Sequence, residues 1–287
     1  MKTKLVSLLD YKIGWKPSGT NSGSSNGVLA GIGDHLRTLV LLRDHPDPRR
    51  LDLNASLRDP LERLWVRDFY LNTALKVVVL IDMSASMGFE GEVKRMDVAC
   101  EIASNIALAA WRGGDAFGVY GANEDIRKDV ILPPRTNRGA WLWVNQHLRS
   151  AKPFGNSAAG LHKIISLLPK RRALVFVISD FRWPSGQLET LLRKIAHHDV
   201  VPIVLQDPTE METLPRKGIA VLSDLESGER RFVWMRPGLI SQIIEKRKQH
   251  LAAILDACRF IERKPFVVRG KFNPMDLTCY FLEGAKK

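Results

Sequence analysis

Lys76-Val77-Val78-Val79-Leu80-Ile81-Asp82-Met83-Ser84-Ala85-Ser86-Met87-Gly88 is the stretch that decides the fold. Its first half is a short, unbroken apolar run rich in β-branched residues. That is the composition of a strand buried on both faces of a parallel sheet rather than of a helix. The run stops at a carboxylate, two hydroxyls follow at alternate positions, and Gly88 closes the segment. Open α/β sheets hold ligands in loops leaving the carboxyl ends of their strands, so Asp82, Ser84 and Ser86 put three oxygen donors on one tight loop. Hard divalent cations such as Mg²⁺ take oxygen ligands in octahedral geometry at about 2.0–2.1 Å. One carboxylate and two neutral hydroxyls leave such an ion under-neutralised, open to an acidic group from outside. Two other readings use the same residues. The serines can be N-caps and turn residues at a strand-to-helix corner. Asp82 can instead accept a phosphoryl group, although Ser84 stands where such enzymes need a second carboxylate.

A second run, Ala173-Leu174-Val175-Phe176-Val177-Ile178-Ser179, also runs into an aspartate, Asp180. Two central strands that each end this way place two carboxylates at one edge of a sheet, the strongest argument in the residues for a cation site. Between them, Pro153-Phe154-Gly155-Asn156-Ser157 leads into a helix at about residues 158–169. Asn156 and Ser157 suit helix N-capping and equally a ligand role, direct or through water. A helix over about 93–112 carries Ala99, Ile102, Ala103, Ile106, Ala107, Ala110 and Trp111 on one face. Further strands are expected at 116–120, at 129–133 (an edge strand, because of Pro133) and at 200–205. Helices are expected at 139–150, at 185–198 and from Pro237 onward. The fold class is therefore α/β, a doubly wound, mostly parallel sheet with helices on both faces.

Outside this domain, assigned to residues 76–260, two flanks differ in composition. Residues 1–75 form an N-terminal arm, with a flexible Gly/Ser-rich tract at Pro17–Gly27 and an Arg-rich part beyond it. His45–Asp52 is expected to be extended, because each proline disfavours the helical state in the residue before it, and Trp65–Phe69 alternates as a strand does. The arginines and aspartates of the arm either form ion pairs or prepare a surface for a partner. Residues 261–287 read as a basic C-terminal extension, in which Phe266-Val267-Val268 is a strand without an assigned place.

The 287 residues are 45% apolar, normal for a globular chain, and no apolar stretch approaches the ~20 residues that span a bilayer. The first ten residues hold too short an apolar segment for a secretory signal, so a cytoplasmic protein is expected. Cys100, Cys258 and Cys279 are far apart, which argues against a disulfide framework and a zinc site. The net charge of +12 raises nucleic acid as a partner. However, the clusters Lys170-Arg171-Arg172 and Lys246-Arg247-Lys248 are not interleaved with aromatics as a single-strand platform is. A solvated basic face that docks an acidic protein is favoured, with a basic nucleic-acid binder as the alternative. The chain has no His-Glu-x-x-His, Walker or Gly-x-Gly-x-x-Gly motif, no Ser-His-Asp order, and no histidine at metal-ligand spacing.

Asp82-x-Ser84-x-Ser86 after a buried strand resembles the metal-ion-dependent adhesion site (MIDAS) of von Willebrand factor A domains, and Asp180 matches that family's third metal loop. The arm sharpens the likeness. His45-Pro46-Asp47-Pro48-Arg49-Arg50-Leu51-Asp52, Ala55-Ser56-Leu57-Arg58-Asp59-Pro60 and Trp65-Val66-Arg67 resemble the von Willebrand A-like family known as domain of unknown function 58. More narrowly, they resemble its MxaS-like branch, found in methanol-dehydrogenase gene clusters. The resemblance implies a mostly parallel sheet and a divalent cation, Mg²⁺ with Mn²⁺ or Ca²⁺ as alternatives, held by Asp82, Ser84, Ser86, Asn156, Ser157 and Asp180. It implies a non-catalytic adaptor that works with a MoxR-type AAA+ ATPase on a client protein, such as methanol dehydrogenase, whose acidic residue completes the metal shell. Met83, Met87 and Phe181 are read as partner contacts. Gly155-Asn156-Ser157 departs from the family pattern, which has a threonine in the second loop.

Overall fold

The computed structural model describes residues 9–11, 13–15, 22–184, 186–209, 218–223, 230–235, 237–259, 261 and 263–284. It divides into two compact units: Ile13–Leu75 with Gly113–Asp115, and the remainder from Lys76 on together with the first few described residues.

The smaller unit is built on two antiparallel strands, β1 (Ser22–Leu41) and β2 (Trp65–Thr73), whose register shifts at several points. The Gly/Ser-rich tract expected to be a flexible linker is thus strand from Ser22 on, and its beginning lies outside the described residues. Strand β2 supplies the backbone partners that local composition does not reveal. Between the strands, Pro48–Arg50 forms a single 3₁₀ turn, where an extended segment was expected. Pro48 occupies the first turn, where a missing N–H costs nothing, and the Asp47 carboxylate accepts the Arg49 N–H at 3.2 Å. A short helix, α1 (Leu53–Leu57), starts at Asp52, whose side chain caps the Ala55 N–H at 3.0 Å.

The Arg/Asp-rich motif closes on itself. Arg67 pairs with Asp52 at 2.8 Å, Arg63 with Asp59 at 2.8 Å, and Arg37 with Asp68 at 3.0 Å. The Trp65 indole donates to Asp59 at 2.6 Å, and Ser56 Oγ accepts the Trp65 N–H at 2.8 Å. These carboxylates hold the unit's own loop.

The larger unit contains a six-stranded sheet in the order β10-β7-β6-β3-β4-β5. Its strands are β3 (Lys76–Asp82), β4 (Ala116–Ala122), β5 (Ile126–Arg135), β6 (Leu174–Ser179), β7 (Asp199–Gln206) and β10 (Phe266–Arg269). All pairings are parallel except β4–β5. The strand left unplaced in the presumed C-terminal extension is therefore the sheet's edge, so the sheet does not stop at residue 260. A separate hairpin pairs β8 (Gly218–Ser223) with β9 (Arg230–Met235).

Among the described residues, six helices accompany the sheet: α2 (Arg95–Arg112), α3 (Ala140–Ser150), α4 (Gly160–Ile164), α5 (Gln187–Ile195), α6 (Pro237–Ala257) and α7 (Pro274–Gly284). Side chains alternate between the faces of a strand. Val78, Leu80, Val175 and Val177 join one buried cluster with Leu161 and Ile164 of α4, Leu191 and Leu192 of α5, and Ile254 of α6. The alternate residues face the other way. There Phe176 meets Phe281 of α7, ring centroids 6.0 Å apart, and α2 contacts β3 and β4. Residues 77–82 of β3 are wholly buried, which is why, after the exposed Lys76 that opens it, the strand carries no polar residue before its terminal aspartate. Both faces of the mostly parallel sheet are covered, as expected. Among the described residues no helix is long and apolar enough to cross a membrane.

Candidate metal centre

From β3 the chain steps to β4 on one side, whereas from β6 it steps to β7 on the other. The two directions part between β3 and β6, and at such a switch point the loops leaving the strands' carboxyl ends splay to form a crevice. Ile81 pairs with Ile178, so the next residues, Asp82 and Ser179, are neighbours across this point.

Four of the expected oxygen donors meet there. Asp82 Oδ1 accepts the Ser84 N–H at 2.8 Å, the Ser84 and Ser86 hydroxyls lie 3.2 Å apart, and the Ser86 hydroxyl donates to Asp180 Oδ1 at 3.1 Å. The four residues are at most 6% exposed. Ser84 is the residue before a 3₁₀ turn, Ala85–Gly88, but its side chain makes no capping bond, so the hydroxyl is left for the cluster.

The second loop is tied to the first by its backbone. Ala85 N–H donates to Gly155 O at 2.9 Å, and Phe154 N–H to Met83 O at 3.0 Å. Gly155 has φ +89°, where a side chain is disfavoured. Asn156 and Ser157 are brought alongside, but their recorded bonds run elsewhere. The Asn156 N–H donates to Glu124, and Ser157 Oγ accepts the Ala159 N–H at 3.0 Å, a local turn bond rather than the expected helix cap, since Ala159 is the N-cap of the helix that follows and no side chain bonds to that end. Among the described residues, no hydrogen bond joins either side chain to Asp82, Ser84, Ser86 or Asp180.

Met83, Met87 and Phe181, read from the sequence as partner contacts, are buried at 0%, 0% and 3% exposure. Met83 and Met87 flank the loop hydroxyls, and with those hydroxyls gathered at the cluster both side chains pack into the core. Phe181 takes the left-handed backbone conformation, φ +53°, which costs a non-glycine residue about 1 kcal/mol or more. Its N–H donates to Ser179 Oγ at 2.8 Å, and its ring packs edge-on against Trp183, centroids 5.1 Å apart.

Three residues that the sequence reading missed complete the cluster. The Ser179 hydroxyl and the Trp183 indole both donate to Asp82 Oδ2, at 2.6 and 2.7 Å. Arg95, at the start of α2, sends Nη1 to Asp180 Oδ2 and to the Ser86 carbonyl, both at 2.8 Å, and lies over the Phe89 ring, 4.8 Å from its centroid. One signal for Arg95 was present: it falls four residues before Ala99, on the helix stripe that faces the sheet, where a charge needs a buried partner. His250 of α6 donates to the Asp180 carbonyl at 3.1 Å, anchoring the third loop from the other side.

The electrostatics are unequal. Asp180 is ion-paired to Arg95 at 2.8 Å, and Arg182 stands 3.7 Å away. Asp82 meets neutral donors only, among the described residues. Burial pushes its carboxyl above the ordinary carboxylate range and the charge on Asp180 pushes further, against the hydrogen bonds from Ser179, Ser84 and Trp183. A buried carboxylate in that position either takes up a proton or gains a cation.

The sequence profile described as "Protein of unknown function DUF58" matches residues 46–251. The chain belongs to the DUF58 family. This DUF58 chain is 28% identical over 261 residues to the uncharacterized protein Rv1480 of Mycobacterium tuberculosis, a match covering 88% of this chain and 79% of that one. It is 35% identical over 91 residues to an uncharacterized protein in the moxR 3' region of Paracoccus denitrificans, covering 31% of this chain and 87% of that protein. Among solved structures it is similar to BatB from Bacteroides thetaiotaomicron, with 14% identity, 75% of this chain and 100% of that one covered, and a TM-score of 0.44. It is also similar to the SpRpn10 VWA domain, with 13% identity, 73% and 95% covered, and a TM-score of 0.41.

Proposed function

We propose that this DUF58 chain is a metal-dependent protein-interaction adaptor that works with a MoxR-type AAA+ ATPase on a client protein. The observation that carries the reading is the buried Asp82 carboxylate, without a cationic partner among the described residues, beside two hydroxyls at the sheet's switch point.

The donor set suits a small hard cation. Two adjacent ligands of an octahedral Mg²⁺ lie about 2.9 Å apart, and the Ser84 and Ser86 oxygens are 3.2 Å apart. Asp82 Oδ1 accepts a single hydrogen bond and keeps a lone pair, while Oδ2 is fixed by Ser179 and Trp183. Asp82, Ser84 and Ser86 would hold the ion, and Asp180, linked to Ser86, would accept from ion-bound water. Asn156 or Ser157 would join by turning its side chain toward the ion, which for Ser157 means leaving the Ala159 N–H. Bound there, Mg²⁺ (or Mn²⁺ or Ca²⁺) supplies a positive charge with an open position for a partner's aspartate or glutamate. The cluster is buried, so loading displaces a covering group. We name the Trp183 indole, half-buried and bonded to Asp82, as that group. The ATPase partner is supported by the relative in the moxR 3' region. Methanol dehydrogenase as client rests on the branch resemblance alone.

The test is retention of a purified MoxR-type ATPase on the immobilised full chain, in Mg²⁺ and in EDTA. Wild type should retain it in Mg²⁺ and lose it in EDTA. Asp82→Ala and Ser86→Ala should lose it in both while keeping the wild-type circular dichroism spectrum. Equal retention in Mg²⁺ and EDTA overturns the metal-dependent reading.

A further inference from the structure

Asp180 also lines a cleft of about 310 Å³ at the carboxyl ends of β6, β7 and β10. One wall is the end of β7 with Pro208, and another is Arg269, the last residue of β10. The third is a single face of α6, since Ile244, Arg247, Lys248 and Leu251 recur at helical spacing.

Five basic side chains line this cleft: Arg182, Arg247, Lys248, His250 and Arg269. Its two acids are committed to internal partners. Asp180 is ion-paired to Arg95 at 2.8 Å, and of the cleft's own cations Arg182 stands 3.7 Å from it. Asp207 accepts the Thr209 N–H at 2.8 Å, the Thr209 hydroxyl, and the N–H groups of Glu92 and Val93 at 3.5 Å. The cleft therefore presents positive charge above an apolar floor of Leu205, Ile244 and Leu251. Lys248, Arg269 and Arg182 are exposed, and His250 donates to the Asp180 carbonyl.

We propose that this cleft binds a short acidic segment of a protein partner, its carboxylates on the cations and an apolar side chain on the floor. Its volume is at the bottom of the range for whole small-molecule ligands. A phosphate cradle would need converging backbone N–H groups at a helix N-terminus or glycine loop. Here α6 contributes its middle turns, and the cations sit on long, adaptable side chains. The proposal takes from the adaptor reading only that the partner is a protein; it needs no metal.

The test uses a fluorescein-labelled peptide, acetyl-Glu-Leu-Glu-Asp-Leu-Glu, and the full chain, read by anisotropy at about 50 mM and about 300 mM salt. Binding is expected in the micromolar range, weaker at high salt and equal in Mg²⁺ and in EDTA. The double variant Lys248→Glu/Arg269→Glu should weaken it about tenfold or more. Lys246→Glu/Lys264→Glu makes the same change of charge at exposed residues outside the cleft, and should weaken it less than about threefold. Absence of peptide binding, equal losses in the two double variants, or displacement of the peptide by inorganic pyrophosphate at lower concentration than by unlabelled peptide overturns the proposal. Loss of binding in EDTA alone also overturns it, and is distinct from failure of the metal-dependent reading.

Discussion

Arg95→Met isolates what holds the candidate centre together. Methionine keeps a straight apolar stem beside the Phe89 ring and removes the charge. In the wild type the guanidinium meets Asp180 at 2.8 Å with side-chain exposures of 3% and 2%. Removing one member of a buried pair costs about 3–5 kcal/mol, because the other charge is stranded. Arg182, 3.7 Å from the same carboxylate and 44% exposed, is a screened substitute worth at most about 1 kcal/mol. The expected loss is therefore about 2–4 kcal/mol. With a urea m-value of about 3 kcal/mol/M for a chain of this size, the midpoint should fall by about 1 M. Arg95→Met/Asp180→Asn removes the stranded charge as well and should recover at least about 1 kcal/mol, since residues in direct contact are coupled by up to about 3 kcal/mol. Urea unfolding followed by circular dichroism in EDTA measures all three proteins. A single-variant loss below about 1 kcal/mol, or a double variant no more stable than the single, would refute Arg95 as the counter-charge of Asp180.

Two further outcomes follow from groups around the same sheet. Trp183→Phe keeps an aromatic ring beside Phe181 but deletes the indole donor to Asp82, and should lower stability by about 1–2 kcal/mol in thermal denaturation without metal; an unchanged transition would show that this hydrogen bond contributes nothing. His198 is buried, accepts the Ala173 N–H at 3.2 Å, and is held by burial down to about 4, so the folded state keeps it neutral while the unfolded chain takes a proton near pH 6.5. Its contribution is intact above pH 6.5 and is lost between there and pH 4, by up to about 3 kcal/mol; the pH dependence of the urea midpoint should be shallower over that window in His198→Gln, and identical slopes would contradict it.

The central strands could be read from the chain because burial on both faces leaves an unmistakable apolar run, as in residues 77–81 and 174–178. The small-residue stripe of α2 was equally plain, except that Trp111, read on the same face, is exposed. Strand β10 was not, since four residues at an edge carry too little pattern and draw their identity from pairing with β7. Strand β1 was hidden for the same reason, its polar, glycine-rich sequence being held by β2 rather than by its own propensity. At the candidate site, Asp82, Ser84, Ser86 and Asp180 were legible from position after a strand. Trp183 and Ser179 were not, because reaching Asp82 depends on the left-handed turn at Phe181 and the register of β6 on β3. The burial of Met83 and Met87 was not legible, because the strand's period of two ends at Asp82 and a 3₁₀ turn follows from Ala85.

The Ser179 hydroxyl and the Asp82 carboxylate that it contacts are 97 residues apart in the chain. A nascent or half-assembled polypeptide that has made β3 but not yet docked β6 lacks half of the oxygen cluster. The cluster thus exists only where the middle of the sheet is complete, and its presence reports that β6 has docked on β3.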